Sequence, residues 1–219
     1  MNQLVASIVP LSLGAMVSPT VLTAVVLVLS GKVRPLARAW AFVGGATAIL
    51  LVLTVAAPLL AHAAEHVNHL YFDGFDVALG LLLLALGVRG LLTHKRSPEQ
   101  RAPKSAEPQA HLGAFAAFGV AMIGTDLSSL VLYVAALKEI ARAHVVSGAK
   151  VAIVLVPFVA VLLPALVPVL ISTVAPRGSQ RILAPVAAWV GKYSKVLTVA
   201  ISFGFGVYLL AKGIPPFFR

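Results

Sequence analysis

Six apolar segments, each long enough to cross a bilayer as a helix, take up most of this chain. A membrane-spanning helix needs about 20 mainly apolar residues, and such segments lie at roughly 4–30, 36–61, 74–93, 112–137, 148–175 and 186–212. The first segment is too long for the core of a signal peptide, and no Lys or Arg precedes it, so we expect it to be retained. The sequence therefore predicts an all-α integral membrane protein with six transmembrane helices.

Composition excludes several other classes of protein. Hydrophobic residues make up 60% of the chain and charged residues 11%, which is not the balance of a soluble domain. Cysteine is absent, so disulfides, thiol chemistry and cysteine metal sites are excluded. The net charge of +10 comes from basic residues beside the apolar segments, and we expect no nucleic-acid partner. No motif combines a nucleophile, a base and an orienting group, so we expect neither an enzyme nor a cofactor.

The basic residues also predict the orientation in the membrane. The connections between segments 1 and 2, 3 and 4, and 5 and 6 share one side and hold most of the 17 Lys and Arg residues. Because loops rich in Lys and Arg stay in the cytoplasm, that side is predicted to be cytoplasmic, with both termini outside. The location that follows is the bacterial plasma (inner) membrane, crossed several times.

Asp126 lies in the middle of the fourth segment, within the run from Gly119 to Ser129. A charge at bilayer depth costs roughly 2.5–3.5 kcal/mol on insertion scales, so such a residue normally lines a polar pathway or pairs with another group. Asp126 is therefore the first functional candidate. In the first segment, Pro19 removes one backbone hydrogen bond and frees carbonyl groups that neighbours, water or a ligand must satisfy, although a simple kink explains it equally well.

A linker rich in prolines and charges at 94–111 divides the chain into two predicted three-helix repeats, 1–93 and 112–219. A shift of 106 positions sets Ser18-Pro19-Thr20 opposite Gly124-Thr125-Asp126. Because each half has three segments, the halves must be inverted, an arrangement that builds midplane transport sites. The predicted substrate or proton pathway, between helices 1 and 4, consists of Asp126, Ser18, Pro19, Thr20, Thr23, Thr125, Ser128 and Ser129. Small hydroxyl residues also commonly tie one helix to another, and that alternative stays open.

Two further sets of residues are candidates for binding. An anionic lipid head group could be bound by cytoplasmic cations, although charges that only set the topology explain them as well. These cations are Arg38, Arg89, Arg177, Arg181, Lys192 and Lys195. His62, His66 and His69 share one face if a helix continues through them, which would suit a metal ion. A polar interfacial segment is the commoner explanation, and we expect no metal there.

Several motifs together resemble a known group of small exporters. The element Gly14-Ala-Met-Val-Ser-Pro19, the basic turn from Lys32 to Arg38, the 3+3 halves and the charged linker resemble the lysine-exporter (LysE-like) superfamily. Within it, and with the run Leu130–Glu139, the chain is most similar to the GAP family of peptidoglycolipid-addressing, Sap-like proteins. The resemblance implies movement of glycolipids toward the cell envelope. Amino-acid exporters of the superfamily carry Pro-Gly-Pro and Asn-Pro where this chain has Val17-Ser-Pro19 and Gly124-Thr125-Asp126, which argues against a simple amino-acid substrate.

Three functional hypotheses follow. The first is a proton-coupled exporter or flippase of a lipid or glycolipid envelope component. The second is an exporter of small cations, amino acids or metal ions. The third is a non-transporting membrane subunit of an envelope-synthesis complex. The corresponding partners are membrane lipids, the lipid or glycolipid substrate, envelope-synthesis proteins and a second copy of the chain.

Overall fold

A computed structural model of the chain describes residues 2–31, 33–64, 69–92, 111–143, 147–175 and 178–213. These residues form helices and no strands, so the prediction of an all-α protein is confirmed. The helices, in chain order, are α1 (Asn2–Met16), α2 (Pro19–Leu29), α3 (Pro35–Ala64), α4 (His69–Leu92), α5 (Leu112–Thr125), α6 (Leu127–Arg142), α7 (Ser147–Val174) and α8 (Ser179–Gly213).

Two of the predicted apolar segments are broken near their centres. The chain bends by 45° between α1 and α2 and by 75° between α5 and α6. Pro19 is the first residue of α2, where its missing N–H costs no hydrogen bond. Asp126 joins α5 to α6 with φ −83° and ψ 68°, outside the helical region. Aspartate favours helix ends over helix interiors because its side chain competes for backbone hydrogen bonds.

In the part of the chain that the structure describes, three helices have the length and composition to cross a membrane: α3, α7 and α8. The number rises to five if each bent pair counts as one span. These helices make the chain a multi-pass membrane protein. The fifth apolar segment carries three prolines, and α7 remains one helix through Pro157, Pro164 and Pro168. Neighbouring helices satisfy the freed backbone groups of membrane helices, which explains this tolerance.

Glycines set the closest helix contacts. A Cβ atom on Gly45 of α3 would lie 1.9 Å from the carbonyl oxygen of Ala116 on α5. One on Gly119 of α5 would lie 2.1 Å from the carbonyl oxygen of Phe42. The backbones of α3 and α5 therefore touch, which is the usual role of small residues at membrane-helix interfaces. α4 packs along α8 in a similar way, at Gly80 and Gly206.

Helix α6 occupies the centre of the fold. It packs against α1, α3, α4 and α7, and Leu132 and Tyr133 on it are completely buried. Other contacts pair α1 with α7, α2 with α3, α7 and α8, and α3 with α7. Helices from the two halves of the sequence are thus interleaved around α6.

Some sequence predictions fall outside the described residues. These are Lys32, His66, Arg177 and the linker 94–111 apart from His111. The side chains of His62 and His69 are likewise not described. Among the residues that are, no group of three or more His, Asp or Glu side chains is placed to hold a metal ion.

Candidate polar site between two broken helices

The carboxylate of Asp126 accepts hydrogen bonds from three serine hydroxyls. Ser18, from the break between α1 and α2, donates to Oδ2. Ser129 donates to the same oxygen at 2.9 Å, and Ser128 donates to Oδ1 at 3.1 Å. Asp126, Ser18 and Ser129 are all more than nine-tenths buried. Two polar residues that are 108 positions apart in the sequence thus meet inside the protein, where the two broken helices cross.

Ser18 makes two hydrogen bonds at once. Its hydroxyl caps α2 by accepting from the backbone N–H of Val21 at 3.3 Å, and it also donates to Asp126. A hydroxyl can do both because it carries one donor and two acceptor positions. The capping bond fixes the side chain, so Ser18 presents its proton to the carboxylate in a defined direction.

The N-termini of two half-helices converge on the carboxylate. Asp126 precedes the first residue of α6, and Ser18 precedes the first residue of α2. Helix N-termini carry partial positive charge, which favours an anion. Within the described residues, Lys138 makes its ion pair with Asp76, and no ion pair involves Asp126. Hydroxyl donors and helix dipoles therefore stabilise the carboxylate in place of a cation.

Two of the predicted threonines donate hydrogen bonds to backbone carbonyl groups of their own helices. Thr23 donates to the carbonyl oxygen of Pro19 at 2.7 Å, and Thr125 donates to that of Met122 at 3.3 Å. Thr20 is half-buried on the first turn of α2. The structure thus brings Ser18, Ser128 and Ser129 to Asp126.

The cations that were predicted to bind a head group lie in two separate parts of the structure. Arg38 is buried between α3 and α5, with its guanidinium 4.9 Å from the ring centroid of Phe115, and its Nη1 has no hydrogen-bond partner. Lys195 of α8 donates to the carbonyl oxygen of Leu91 at the end of α4. Arg89, Arg181 and Lys192 are exposed. In the described structure α3 and α8 do not pack together, so Arg38 stands apart from the α8 cations.

Two polar contacts were not foreseen from the sequence. Lys138 of α6 forms an ion pair with Asp76 of α4, with 2.6 Å between Nζ and Oδ1 and both side chains almost fully buried. In the sequence, Lys138 directly follows the fourth apolar segment and Asp76 lies at the start of the third. Thr54 of α3 and Tyr133 of α6 also share a hydrogen bond. The available signal was that each of these residues lies inside or at the edge of an apolar segment, where an ionisable group needs a partner.

These features define a class of protein: a multi-pass helical membrane protein with a buried carboxylate where two interrupted helices meet. A family model described as "Sap, sulfolipid-1-addressing protein" matches residues 8–215. The chain therefore belongs to this family, which confirms the predicted similarity to Sap-like GAP proteins. No curated protein and no solved structure gave a match.

Proposed function

We propose that the chain moves a lipid or glycolipid of the bacterial envelope outward across the plasma membrane, coupled to a proton, through the site at Asp126. The family is named for addressing a sulfolipid, which ties the chain to lipid export. The observation that carries the proposal is the buried carboxylate of Asp126, which is bonded to three hydroxyls and has no ion-pair partner among the described residues. When protonated, the carboxyl group can donate to a serine or to a substrate hydroxyl instead of accepting.

The helix contacts support an inverted 3+3 repeat. Suppose that α1, α2, α3 and α4 correspond in order to α5, α6, α7 and α8. The contact between α3 and α5 then corresponds to a contact between α7 and α1, and these two helices also pack together. Likewise, α2 with α8 corresponds to α6 with α4, and α2 with α7 to α6 with α3. All of these pairs are in contact. Ser18 and Asp126 then occupy equivalent N-cap positions, a register of 108 instead of the 106 expected from the sequence.

In this proposal six spans place both termini outside, and the basic connections face the cytoplasm. Trp189 and Tyr193, both exposed on α8 beside Lys192 and Lys195, support an interface at that level. Exposed aromatic residues next to lysines are typical of the membrane–water boundary.

Single cysteines test this orientation, because the chain has none of its own. Ala143→Cys, after α6, is expected to react with an impermeant thiol reagent in intact cells. Ala175→Cys, after α7, is expected to react only once the membrane is permeabilised. The reverse pattern would show that the orientation is inverted.

Arg38 is proposed to bind the anionic group of the lipid as it enters from the cytoplasmic side. Its guanidinium is fixed by Phe115 and has an unused donor, Nη1. Losing one charge-assisted hydrogen bond costs roughly 1.5–3 kcal/mol, so Arg38→Gln should reduce lipid delivery by about tenfold or more at equal protein level. Arg34→Gln, which removes an exposed cation from the turn before α3, is the matched control and should deliver lipid at close to the parent rate. Equal delivery by the two variants would remove Arg38 from the proposed path.

The function itself is tested by comparing lipids in cells that lack the protein and in cells that carry it. Surface-extractable lipids and plasma-membrane lipids are measured separately by mass spectrometry. Without the protein, one lipid class should disappear from the surface and accumulate in the plasma membrane, and the parent chain should restore it. An unchanged lipid distribution would contradict the proposal.

A further inference from the structure

The buried ion pair between Asp76 and Lys138 is not explained by the proposed lipid site. Lys138 lies about 18 Å beyond Asp126 along α6, given a rise of about 1.5 Å per residue. It is in the last turns of α6, and Asp76 is in the first turns of α4. The pair therefore joins the two halves at one end of the bundle, well away from the serine cluster that Ser18, Ser128 and Ser129 form around Asp126.

A second polar contact lies between these two positions. Thr54 of α3 bonds to the hydroxyl of Tyr133, which follows Asp126 by about two turns of α6. Along α6, contacts to the first half thus run in order from the α1–α2 break to α3 and then to α4. The last and most strongly charged of them lies nearest the end of the helix.

Stability alone does not account for this ion pair. Buried ion pairs are often no more stabilising than apolar pairs of the same volume, because both charges lose hydration. Within a membrane protein, buried ionisable residues are expensive and mark functional positions. An ion pair differs from an apolar contact in how it separates. When the two charged groups move apart into water, both are readily hydrated.

We propose that Asp76 and Lys138 form an ionic latch that closes the external end of the transport path in this conformation. The latch must open before the substrate can leave. This inference rests on the proposed function, because it assumes alternating access and the orientation given above. In the open state each charge would face the water-filled exit, which replaces the attraction lost between them.

A buried cysteine on α6 can report the opening. Ala136 is completely buried and lies between Tyr133 and Lys138, so Ala136→Cys should react slowly with an impermeant thiol reagent in the parent background. Asp76→Asn combined with Lys138→Met removes the attraction without leaving a single buried charge. These two substitutions together should increase the labelling rate of Ala136→Cys at least fivefold. Exchanging the charges, by Asp76→Lys with Lys138→Asp, should return the rate to within twofold of the parent.

Lys195→Met is the matched control, because Lys195 also joins the two halves but through an exposed contact with a backbone carbonyl. It should leave the labelling of Ala136→Cys unchanged. Unchanged labelling in the neutral pair, or no recovery on charge exchange, would overturn the latch.

If the neutral pair fails to accumulate, Asp76→Cys with Lys138→Cys replaces it, with Ala136 retained. A thiol cross-linker between these cysteines should then stop lipid delivery reversibly, and undiminished delivery by the cross-linked protein would overturn the latch.

The labelling assay needs no substrate, so it separates the two proposals. Faster labelling in the neutral pair, without lipid delivery by any variant, would support the latch and contradict the lipid function. Labelling that rises only from the cytoplasmic side in inverted vesicles would support the latch and reverse the orientation.

Discussion

Asp126→Asn is expected to leave the protein folded and inserted in the membrane but to reduce lipid delivery to that of cells without the protein. The asparagine side chain keeps the shape of the carboxyl group. Its carbonyl oxygen can still accept from Ser18 and Ser129, and the Ser128 hydroxyl can rotate to accept from the amide. What the amide cannot do is ionise at cellular pH. Surface lipid measured at equal protein level tests this prediction.

Two comparisons sharpen the test. Glu139→Gln removes a carboxylate from the same helix, outside the serine cluster, and should deliver lipid at close to the parent rate. Asp126→Leu should also destabilise the fold, because Ser18 and Ser129 lose their acceptor and an unsatisfied buried polar group costs roughly 1–3 kcal/mol. Normal delivery by Asp126→Asn would make Asp126 a structural tie between helices and would remove the coupling role.

Gly45→Ala is expected to have the largest effect on stability. Its Cβ would lie 1.9 Å from the carbonyl oxygen of Ala116, and a backbone atom cannot move aside as a side-chain tip can. The helices must separate, so we expect a loss above about 3 kcal/mol, at the upper end of overpacking. This corresponds to a melting temperature lower by roughly 10 °C, measured on protein purified in detergent.

The neighbouring glycine provides the control. A Cβ on Gly44 meets no atom within 4 Å, so Gly44→Ala adds a methyl group in open space. Alanine favours the helix by roughly 0.8–1 kcal/mol over glycine, so Gly44→Ala should melt at or above the parent temperature. Equal melting temperatures for the two variants would contradict the described contact between α3 and α5.

The all-helical fold and the break at Pro19 could be predicted because apolar length and proline chemistry are local properties of the sequence. The interruption at Asp126 could be placed only approximately. The shift of 106 compared amino-acid types and set Ser18 opposite Gly124. In the structure, Ser18 and Asp126 are the N-cap residues of α2 and α6, and such cap positions depend on backbone geometry that residue types do not show.

Contacts between side chains that are distant in the sequence could not be predicted from it. Asp76 and Lys138 each lie close to the end of an apolar segment, where a charge normally faces water, and only the packing of α4 against α6 brings them together. Arg38 was predicted as a cytoplasmic cation, and its burial depends on Phe115 from the second half. The threonines could not be separated from the serines, because the sequence does not show which hydroxyls bond to their own helix backbone.

The central claim is that the chain carries a lipid across the membrane by way of Asp126. The purified protein is reconstituted in vesicles made from the host's plasma-membrane lipids, with a pH gradient imposed. The transfer of glycolipids between leaflets is then followed by their oxidation with an impermeant periodate reagent. Vesicles with the parent protein should expose an initially protected glycolipid pool, and vesicles with Asp126→Asn should behave like empty ones. Equal exposure in parent, variant and empty vesicles would contradict the claim.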